Sequence, residues 1–293
     1  MHPERIKVRK ERLDILKKHM DNDKKIRIQY ASKYASISNY FKYFKGQSKG
    51  LKDLEVAEYK RKQEKKFENW IMQSEERKKK YENAIPAIKH AYHLLDSTGL
   101  SNVYINEATF GIELFSFAET CHKLANNKEK LKKYTENFYK DYDANTDKEV
   151  LAKLISMYTK NVETEQIPTF LMKIDNKYKG DYQKYVDKVF KKSSLCSEHK
   201  MKRIIKNPKQ KKIKKDIAYK GMEGMYAYYK KHINSIRKVA YDTLAHGQKL
   251  YIKALREMYP NKLFYPDANS TMRLTYGNIL PCLLYTSPSP RDA

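Results

Sequence analysis

The sequence Phe264-Tyr265-Pro266-Asp267-Ala268-Asn269-Ser270-Thr271-Met272-Arg273-Leu274-Thr275-Tyr276-Gly277 decides the fold, because the chain changes character there. Pro266 fixes its own φ and disfavours the α region for Tyr265, so we expect a helix to end before this point. Residues 267–270 are typical of a turn. Residues 272–276 then alternate apolar and polar side chains before Gly277, which predicts a β-strand entering a β domain.

The chain upstream of this stretch has the composition of a helical protein. Of its 293 residues, 40% are hydrophobic and 33% are charged, and it has only nine glycines and nine prolines. These values are typical of a lysine-rich chain with long helices and a sizeable core in one large or two ordinary domains. No apolar run is long enough to span a bilayer, so the sequence predicts no membrane helix.

Hydrophobic periodicity predicts a series of amphipathic helices with short connections. The first predicted helix runs from Arg5 to Met20, and Asp21-Asn22-Asp23 then offers a cap for the next one. Ala108 to Leu124 is the most apolar of the predicted helices, and we expect it at the centre of the bundle. The other long predictions are Lys24 to Lys45, Leu51 to Tyr81, Lys148 to Tyr158 and His232 to Met258.

Three local signals predict how these helices begin, end or break. Gly46 is placed to end the second helix in the left-handed conformation. Glu149 fits a reciprocal capping box with Thr146 at the start of the helix that follows. Gly247 interrupts the last helix at a cost of about 1 kcal/mol relative to alanine.

The formal net charge of +26 raises the possibility of a polyanionic partner. The densest cationic run is Lys202 to Lys215. A solvated connection between helices is the favoured interpretation of this run, and a polyanion site is the alternative. The run lacks a helix-turn-helix, ribonucleoprotein or zinc signature, so we predict no nucleic-acid partner.

Cysteines and histidines indicate neither a metal site nor a nucleophile. Cys121 and Cys196 have no spacing typical of a disulfide framework or a zinc site, and both are interpreted as structural. His90 and His93 lie three apart on one helix, but further ligands are not evident nearby. No nucleophile turn accompanies His232 or any other histidine. The sequence therefore predicts no metal, no cofactor and no catalytic residue in this chain.

Several blocks of the sequence nevertheless resemble one enzyme family. They are the stretch at 264–277, YASKYASISNYFKY at 30–43 with Gly46 and Gly50-Leu51 behind it, FENW at 67–70, and DYDANTDK at 141–148. In this order they are similar to the dipeptidyl-peptidases of the 7 and 11 type, which are serine peptidase family 46. The resemblance extends from about Ile6 to Leu280.

The resemblance implies a particular domain organisation. In this family a helical domain is inserted between two chymotrypsin-like barrels and caps the cleft between them. We therefore expect a mainly α, irregular, bundle-like cap domain at 1–262 and the first strand of the second β-barrel at 263–281.

Both ends of the chain are expected to be abrupt. Cys282 to Ala293 is similar to translated sequencing adapter and is excluded from fold reasoning. Residues 1–5 have neither the apolar segment nor the cleavage site of a signal peptide. With the resemblance, Met1 is expected to be internal to a longer protein.

The resemblance also implies the chemistry. The family releases amino-terminal dipeptides by acyl transfer, with a histidine as general base, a serine as nucleophile and backbone amides that hold the oxyanion. We expect this triad outside the chain, and we predict that the chain alone is inactive.

One substrate contact is expected within the chain. The family binds the peptide's α-ammonium partly through an asparagine of the helical domain, and the motif places it at Asn39. The alternative is that Asn39 packs among Tyr34, Tyr40 and Tyr43. Phe41 departs from the tryptophan that family members more often have. Arg273 could face the cleft, although pairing with Asp267 is the preferred interpretation.

The implied partner is an oligopeptide substrate, with a possible homodimer in the full-length protein and a periplasmic or secreted location. No membrane partner is predicted. The alternative function is that of a non-catalytic, basic helical protein that binds an anionic partner. The preference for an acidic or a hydrophobic penultimate residue is left open, because its determinants are expected in the barrel.

Overall fold

The structure, a computed structural model, describes residues 2–264 and Gly277. Fifteen α-helices lie within residues 2–264, which contain no strand. In chain order they are α1 His2–Asn22, α2 Lys24–Asp53, α3 Val56–Met72, α4 Glu75–Tyr81, α5 Ala84–Ser97, α6 Gly99–Thr109, α7 Glu113–Leu124, α8 Lys128–Lys140, α9 Ala144–Asn161, α10 Thr169–Tyr178, α11 Tyr182–Lys192, α12 Glu198–Lys206, α13 Gln210–Lys214, α14 Ile217–Tyr228 and α15 Ser235–Met258. The mainly α prediction is confirmed. The predicted strand, the Asp267 turn and Arg273 lie outside the described residues.

The main core forms around α7, as predicted for the most apolar segment. Leu114, Phe115, Phe117 and Ala118 are each at most 1% exposed. The Phe117 ring stacks on Phe138 of α8, with ring centroids 3.9 Å apart. Because α7 is apolar on several faces, α8, α13 and α14 pack around it.

Helices α1 and α2 form a long antiparallel hairpin beside this core. Asp23 begins α2, and its side chain accepts from the backbone N–H groups of Lys25 and Ile26. At the other end of the hairpin, the rings of His2 and Phe44 lie 5.4 Å apart. Val8, Leu16 and Tyr30 are buried in the main core and anchor both helices to it.

A second, smaller core lies between α3, α4, α5 and α15. Its buried members are Phe67, Ile71, Tyr81, Ala84, Ile85 and Ala254. Helices α5 and α15 approach each other closely at Gly247, where an added Cβ would lie 2.9 Å from Ile88 Cγ1 and 3.1 Å from the Ala84 carbonyl oxygen. Gly247 therefore allows close helix packing, and α15 runs through it without interruption.

Helix α2 continues beyond the predicted end at Gly46 to Asp53, so that prediction is wrong. Gly46 is exposed and has no neighbour within 4 Å of a built Cβ. A glycine in a solvated helix costs only about 1 kcal/mol, so it does not end the helix unless the chain has to turn there. The left-handed residue is instead Glu55, with φ of 46°.

Two other predicted helices are interrupted. The Leu51 to Tyr81 segment is interrupted at 54–55 and again at Gln73 and Ser74, where the turn brings Tyr81 within 6.3 Å of the Trp70 ring. The Ala108 to Leu124 segment is interrupted at 110–112. Burial of Tyr81 stabilises the break at Gln73 and Ser74. The side chain of Asp147, which caps α7, stabilises the break at 110–112.

The predicted capping box at Thr146 is also wrong. Asp143 begins α9, and its side chain accepts from the Thr146 backbone N–H. Glu149 instead contacts Lys18 and His19 on α1, each at 2.9 Å. A longer-range ion pair therefore replaces the local contact that the sequence suggested.

The cationic run at 202–215 is mostly helical, because α12 and α13 account for all of it except 207–209 and Lys215. The favoured interpretation of a connection between helices is therefore wrong, although the charged side chains of the run are exposed. Among residues 2–264, no helix has the length and apolar character required to cross a membrane.

Two glycine substitutions test the assigned packing. Gly247→Leu is expected to lower the free energy of unfolding by about 1–3 kcal/mol, because the new side chain has no room between α5 and α15. Gly46→Ala is expected to raise it by about 0.5–1 kcal/mol, because alanine favours an exposed helix interior. Urea denaturation of both variants measures these changes. A stabilising Gly247→Leu would contradict the close α5–α15 contact.

Candidate functional site

Asn39 lies on the exposed side of α2. Its side chain forms no hydrogen bond with residues 2–264. Ser32, Ser36 and Asn39 are four and three residues apart, which places them on one face of the helix. An unpaired amide on this face is available to a ligand.

A cavity of about 450 Å³ lies along this face of α2, one turn before Asn39. The walls come from α1, α2, the start of α7 and the start of α9. The lining residues are Arg12, Leu16, Tyr30, Ser32, Lys33, Ser36, Ile37, Gly111, Glu113, Thr146, Asp147 and Val150. The cavity is thus polar and charged around a small apolar wall.

Three side chains of α2 fasten this helix to the segment before α9. The Tyr30 hydroxyl donates to the Asp143 carbonyl oxygen and accepts from the Asp143 backbone N–H, both at 3.2 Å. Lys33 Nζ donates to the Asp141 carbonyl oxygen. Gln29 Nε2 donates to the Lys140 carbonyl oxygen at 2.8 Å. We call this set the α2 clamp.

The α2 clamp joins two of the sequence blocks that carry the family resemblance, 30–43 and 141–148. They are about a hundred residues apart in sequence and in direct contact in the structure. Burial raises the pKa of Tyr30 far above its usual range, so the hydroxyl stays neutral and keeps both hydrogen bonds. Two of the blocks that carry the resemblance therefore meet in a structural joint.

Asp147 supplies the cap for α7. Its Oδ1 accepts from the Glu113 backbone N–H at 3.0 Å, and its Oδ2 accepts from the Leu114 N–H at 2.8 Å. The side chain is buried, and burial followed by the nearby Glu113 charge raises the pKa of Asp147 to about 7. Glu113 in turn pairs with Lys33 at 2.5 Å, which links the cap to the α2 clamp.

Arginines of α1 hold the connection between α6 and α7. Arg12 pairs with Glu107 at 2.5 Å and donates to the Gly111 carbonyl oxygen at 3.0 Å. Arg9 also pairs with Glu107, at 3.0 Å, and its guanidinium lies 5.9 Å from the Tyr40 ring centroid. Tyr40 itself is 57% exposed beside Asn39. The surface of α2 at Tyr40, next to Asn39 in sequence, therefore carries an aromatic ring with a cation over it.

Within residues 2–264 no serine, histidine and carboxylate form a catalytic triad. The one serine–histidine contact of this region joins Ser48 Oγ to His2 Nδ1 at 3.4 Å, and no carboxylate orients that imidazole. His19 contacts Glu149 at 2.9 Å without a nucleophile.

No group of three potential metal ligands occurs in the described part of the chain. His90 and His93 are both exposed on α5. Burial raises the pKa of the Cys121 thiol far above its usual range and that of Cys196 to about 12, so neither is a reactive thiolate. The residues that the structure adds to the site are Tyr30, Lys33, Glu113 and Asp147.

Comparison with known sequences decides the family. The sequence profile described as Peptidase S46 matches residues 1–281. The chain belongs to the Peptidase S46 family. This membership confirms the resemblance that the blocks at 30–43, 141–148 and 264–277 indicated.

Curated members of the S46 family that match the chain are dipeptidyl-peptidases. Dipeptidyl-peptidase 7 of Phocaeicola vulgatus is 35% identical and that of Porphyromonas gingivalis 32%, each over 94% of this chain and 40% of the relative. The Asp/Glu-specific dipeptidyl-peptidase of Flavobacterium psychrophilum is 29% identical over 100% of the chain and 41% of the relative. The chain thus spans about two-fifths of the length of these relatives.

Solved structures of an S46 peptidase share the fold. The crystal structure of Porphyromonas endodontalis DPP11 in complex with the dipeptide Arg-Glu has a TM-score of 0.74 at 24% identity, over 89% of this chain and 39% of that one. Another crystal structure of the same peptidase has a TM-score of 0.71 at 25% identity, over 87% and 38%. The helical arrangement therefore occurs within a longer S46 chain.

The α2 clamp is testable by removing one hydroxyl. Tyr30→Phe deletes both hydrogen bonds to Asp143 and leaves its backbone N–H without a partner among residues 2–264, while the carbonyl oxygen still accepts from the Asp147 N–H, so we expect a loss of about 1–3 kcal/mol in the free energy of unfolding. Tyr40→Phe is the matched control, because the Tyr40 hydroxyl has no hydrogen bond within residues 2–264. Equal stability of both variants in urea denaturation would contradict the clamp.

Asp147 predicts a pH dependence of stability. The pKa of Asp147 is about 7 in the folded chain and 3.8 for an ordinary aspartate, so folding takes up a proton at pH values between these two. The stability that this group adds is full below about pH 4 and is lost as the pH rises through about 7. Relative to Asp147→Asn, the wild-type free energy of unfolding should therefore fall over this range. A constant or rising difference would contradict the raised pKa.

Proposed function

We propose that this chain forms the helical cap of a serine-type dipeptidyl-peptidase, which releases dipeptides from the free amino end of oligopeptides. The carrying observation is that α2 presents an exposed Asn39, without a hydrogen bond to residues 2–264, one turn beyond a cavity that Ser36 lines, in a chain of the S46 family. In this proposal the cap covers the cleft of the full-length enzyme and admits only the end of a peptide.

Asn39 contributes recognition of the peptide's α-ammonium. An amide oxygen accepts a hydrogen bond from an ammonium group without adding a second charge that must be desolvated. The α2 clamp fixes the helix below Asn39, so the amide needs little ordering when the peptide binds. Porphyromonas endodontalis DPP11, which shares the fold, forms a complex with the dipeptide Arg-Glu, and a peptide ligand for this cap is proposed by analogy.

The proposed reaction uses groups of the full-length protein outside residues 2–264. A histidine acts as general base and takes the proton of a serine, which attacks the carbonyl of the second residue, and backbone amides stabilise the oxyanion. The C–N bond to the third residue then breaks, and the histidine gives its proton to the amine of the shortened peptide, which leaves. Water, deprotonated by the same histidine, hydrolyses the acyl-enzyme, which releases the dipeptide and restores the serine. Residues 1–262 form the cap, residues 263–281 begin the second barrel, and the full-length protein acts in the periplasm or outside the cell.

The alternative of a non-catalytic protein with an anionic partner accounts for the basic charge but not for the family membership. The cap proposal accounts for both the fold and the relatives. A cationic surface remains compatible with a cap, because it lies on helices other than α2.

Substitution of Asn39 tests the proposal in the full-length protein. Asn39→Ala should raise KM for a chromogenic peptide with a free amino end by about tenfold, with a smaller change in kcat, because one hydrogen bond to a charged group is lost. Asn176→Ala is the matched control, since Asn176 is exposed on α10 and its side chain forms no hydrogen bond within residues 2–264. Unchanged kinetics for Asn39→Ala would contradict the assigned contact.

The 293-residue chain alone provides a second test. We expect the purified chain to release no dipeptide from the same substrate, because residues 2–264 contain no triad. Dipeptide release that persists through repeated purification would place a complete catalytic apparatus in this chain and contradict the cap proposal.

A further inference from the structure

Helices α12 and α13 bear an unusually concentrated positive charge. Residues 198–215 contain nine lysines and arginines and one carboxylate, Glu198. All nine cations are exposed, whereas Met201, Ile205 and Ile213 are buried. The amphipathic character of these short helices therefore directs the charge to solvent.

The fold adds the charge of a third helix to the same side of the molecule. Helix α12 packs on α8, α13 packs on α7, and α7 packs on α8. Helix α8 contributes Lys130 and Lys133, which are also exposed. We call these two lysines, together with the nine cations of residues 200–215, the cationic face.

The cations of this face lack partners. Within residues 2–264, Lys202 is the only one of them that forms an ion pair, with Glu198 at 2.7 Å. Helices α3 and α4 differ in this respect, because residues 56–82 also contain nine cations but have six carboxylates. There, ion pairs such as Lys62–Glu58 and Lys80–Glu76 offset the charge. The two lysine-rich regions therefore present different electrostatic potentials.

The chemistry of the face favours a flat, diffuse anionic surface over a specific ligand. Eight of the nine cations at 200–215 are lysines, which act as point charges, and Arg203 is the single arginine. Neither 128–140 nor 198–215 exposes a large hydrophobic or aromatic side chain on which a base could stack. Lysine clusters on amphipathic helices typically bind anionic lipid headgroups.

We propose that the cationic face docks the protein onto a membrane surface rich in anionic phospholipid. The contact is electrostatic and peripheral, with no side chain inserted into the acyl region. It orients the molecule with α12 and α13 toward the lipid. Helix α2, which carries Asn39, is left free to act. Each lysine close to such a surface strengthens binding on the order of fivefold, and salt weakens it because the Debye length is about 8 Å at physiological ionic strength.

Vesicle co-sedimentation of the purified 293-residue chain tests this proposal. The probes are phosphatidylcholine vesicles with and without phosphatidylglycerol, at low and at high salt. Wild-type protein is expected to bind only the vesicles that contain phosphatidylglycerol and to dissociate at high salt. Substitution of Lys206, Lys209, Lys211 and Lys212 by glutamine should weaken this binding by about 600-fold, which is about fivefold for each lysine.

The matched control removes the same charge from the other lysine-rich region. Lys60, Lys65, Lys66 and Lys79 are equally exposed and form no ion pair within residues 2–264, so their substitution by glutamine isolates position from net charge. The control should bind the vesicles much more tightly than the cationic-face variant. Equal weakening of the two variants would mean that net charge alone governs binding, and would overturn the proposal.

Circular dichroism of both variants checks that the helical content is kept. The salt dependence is measured on the wild-type protein, so it tests the proposal even if a variant does not fold. Absence of binding to the phosphatidylglycerol vesicles would overturn the proposal. A duplex DNA probe provides the remaining arm. Binding to DNA that depends on the cationic face, without binding to vesicles, would assign this face to nucleic acid and would likewise overturn it.

Discussion

The site depends on one buried joint, where Tyr30 of α2 bridges the backbone of Asp143 and the neighbouring Asp147 caps α7. The polar groups of this joint form hydrogen bonds with one another, so the joint remains stable although it is largely removed from water. It connects the hairpin helix that carries Asn39 to the most apolar helix of the core. The position of Asn39 is therefore set by the core rather than by a loop.

The same fold sorts a large positive charge into regions with different properties. Near α2, the arginines of α1 pair with Glu107 and stabilise the connection before α7. On α3 and α4, carboxylates at helical spacing offset the lysines. On α12 and α13 the cations have almost no partners among the described residues. The net charge of +26 therefore includes three different sets of cations. One set stabilises the fold, one is partly offset by carboxylates, and one is available to a partner.

The sequence was informative wherever the determining contacts are local. Periodicity located α1 and the apolar α7, and Asp23 capped α2 as expected. The break before α7 was missed because its cap, Asp147, lies more than thirty residues away. The predicted helix end at Gly46 is wrong because the local sequence does not show whether the chain must turn there. Asn39 came from the family resemblance, whereas the Tyr30 and Lys33 contacts depend on packing that no local pattern reveals.

The central claim is that α2 presents Asn39 to the amino end of a peptide. A crystal structure of the full-length protein with a bound dipeptide tests it most directly, through the distance from Asn39 Oδ1 to the peptide's terminal nitrogen. We predict a hydrogen bond of about 2.7–3.2 Å, with the α2 clamp intact. A peptide bound with its amino end remote from α2, and Asn39 still in solvent, would contradict the claim.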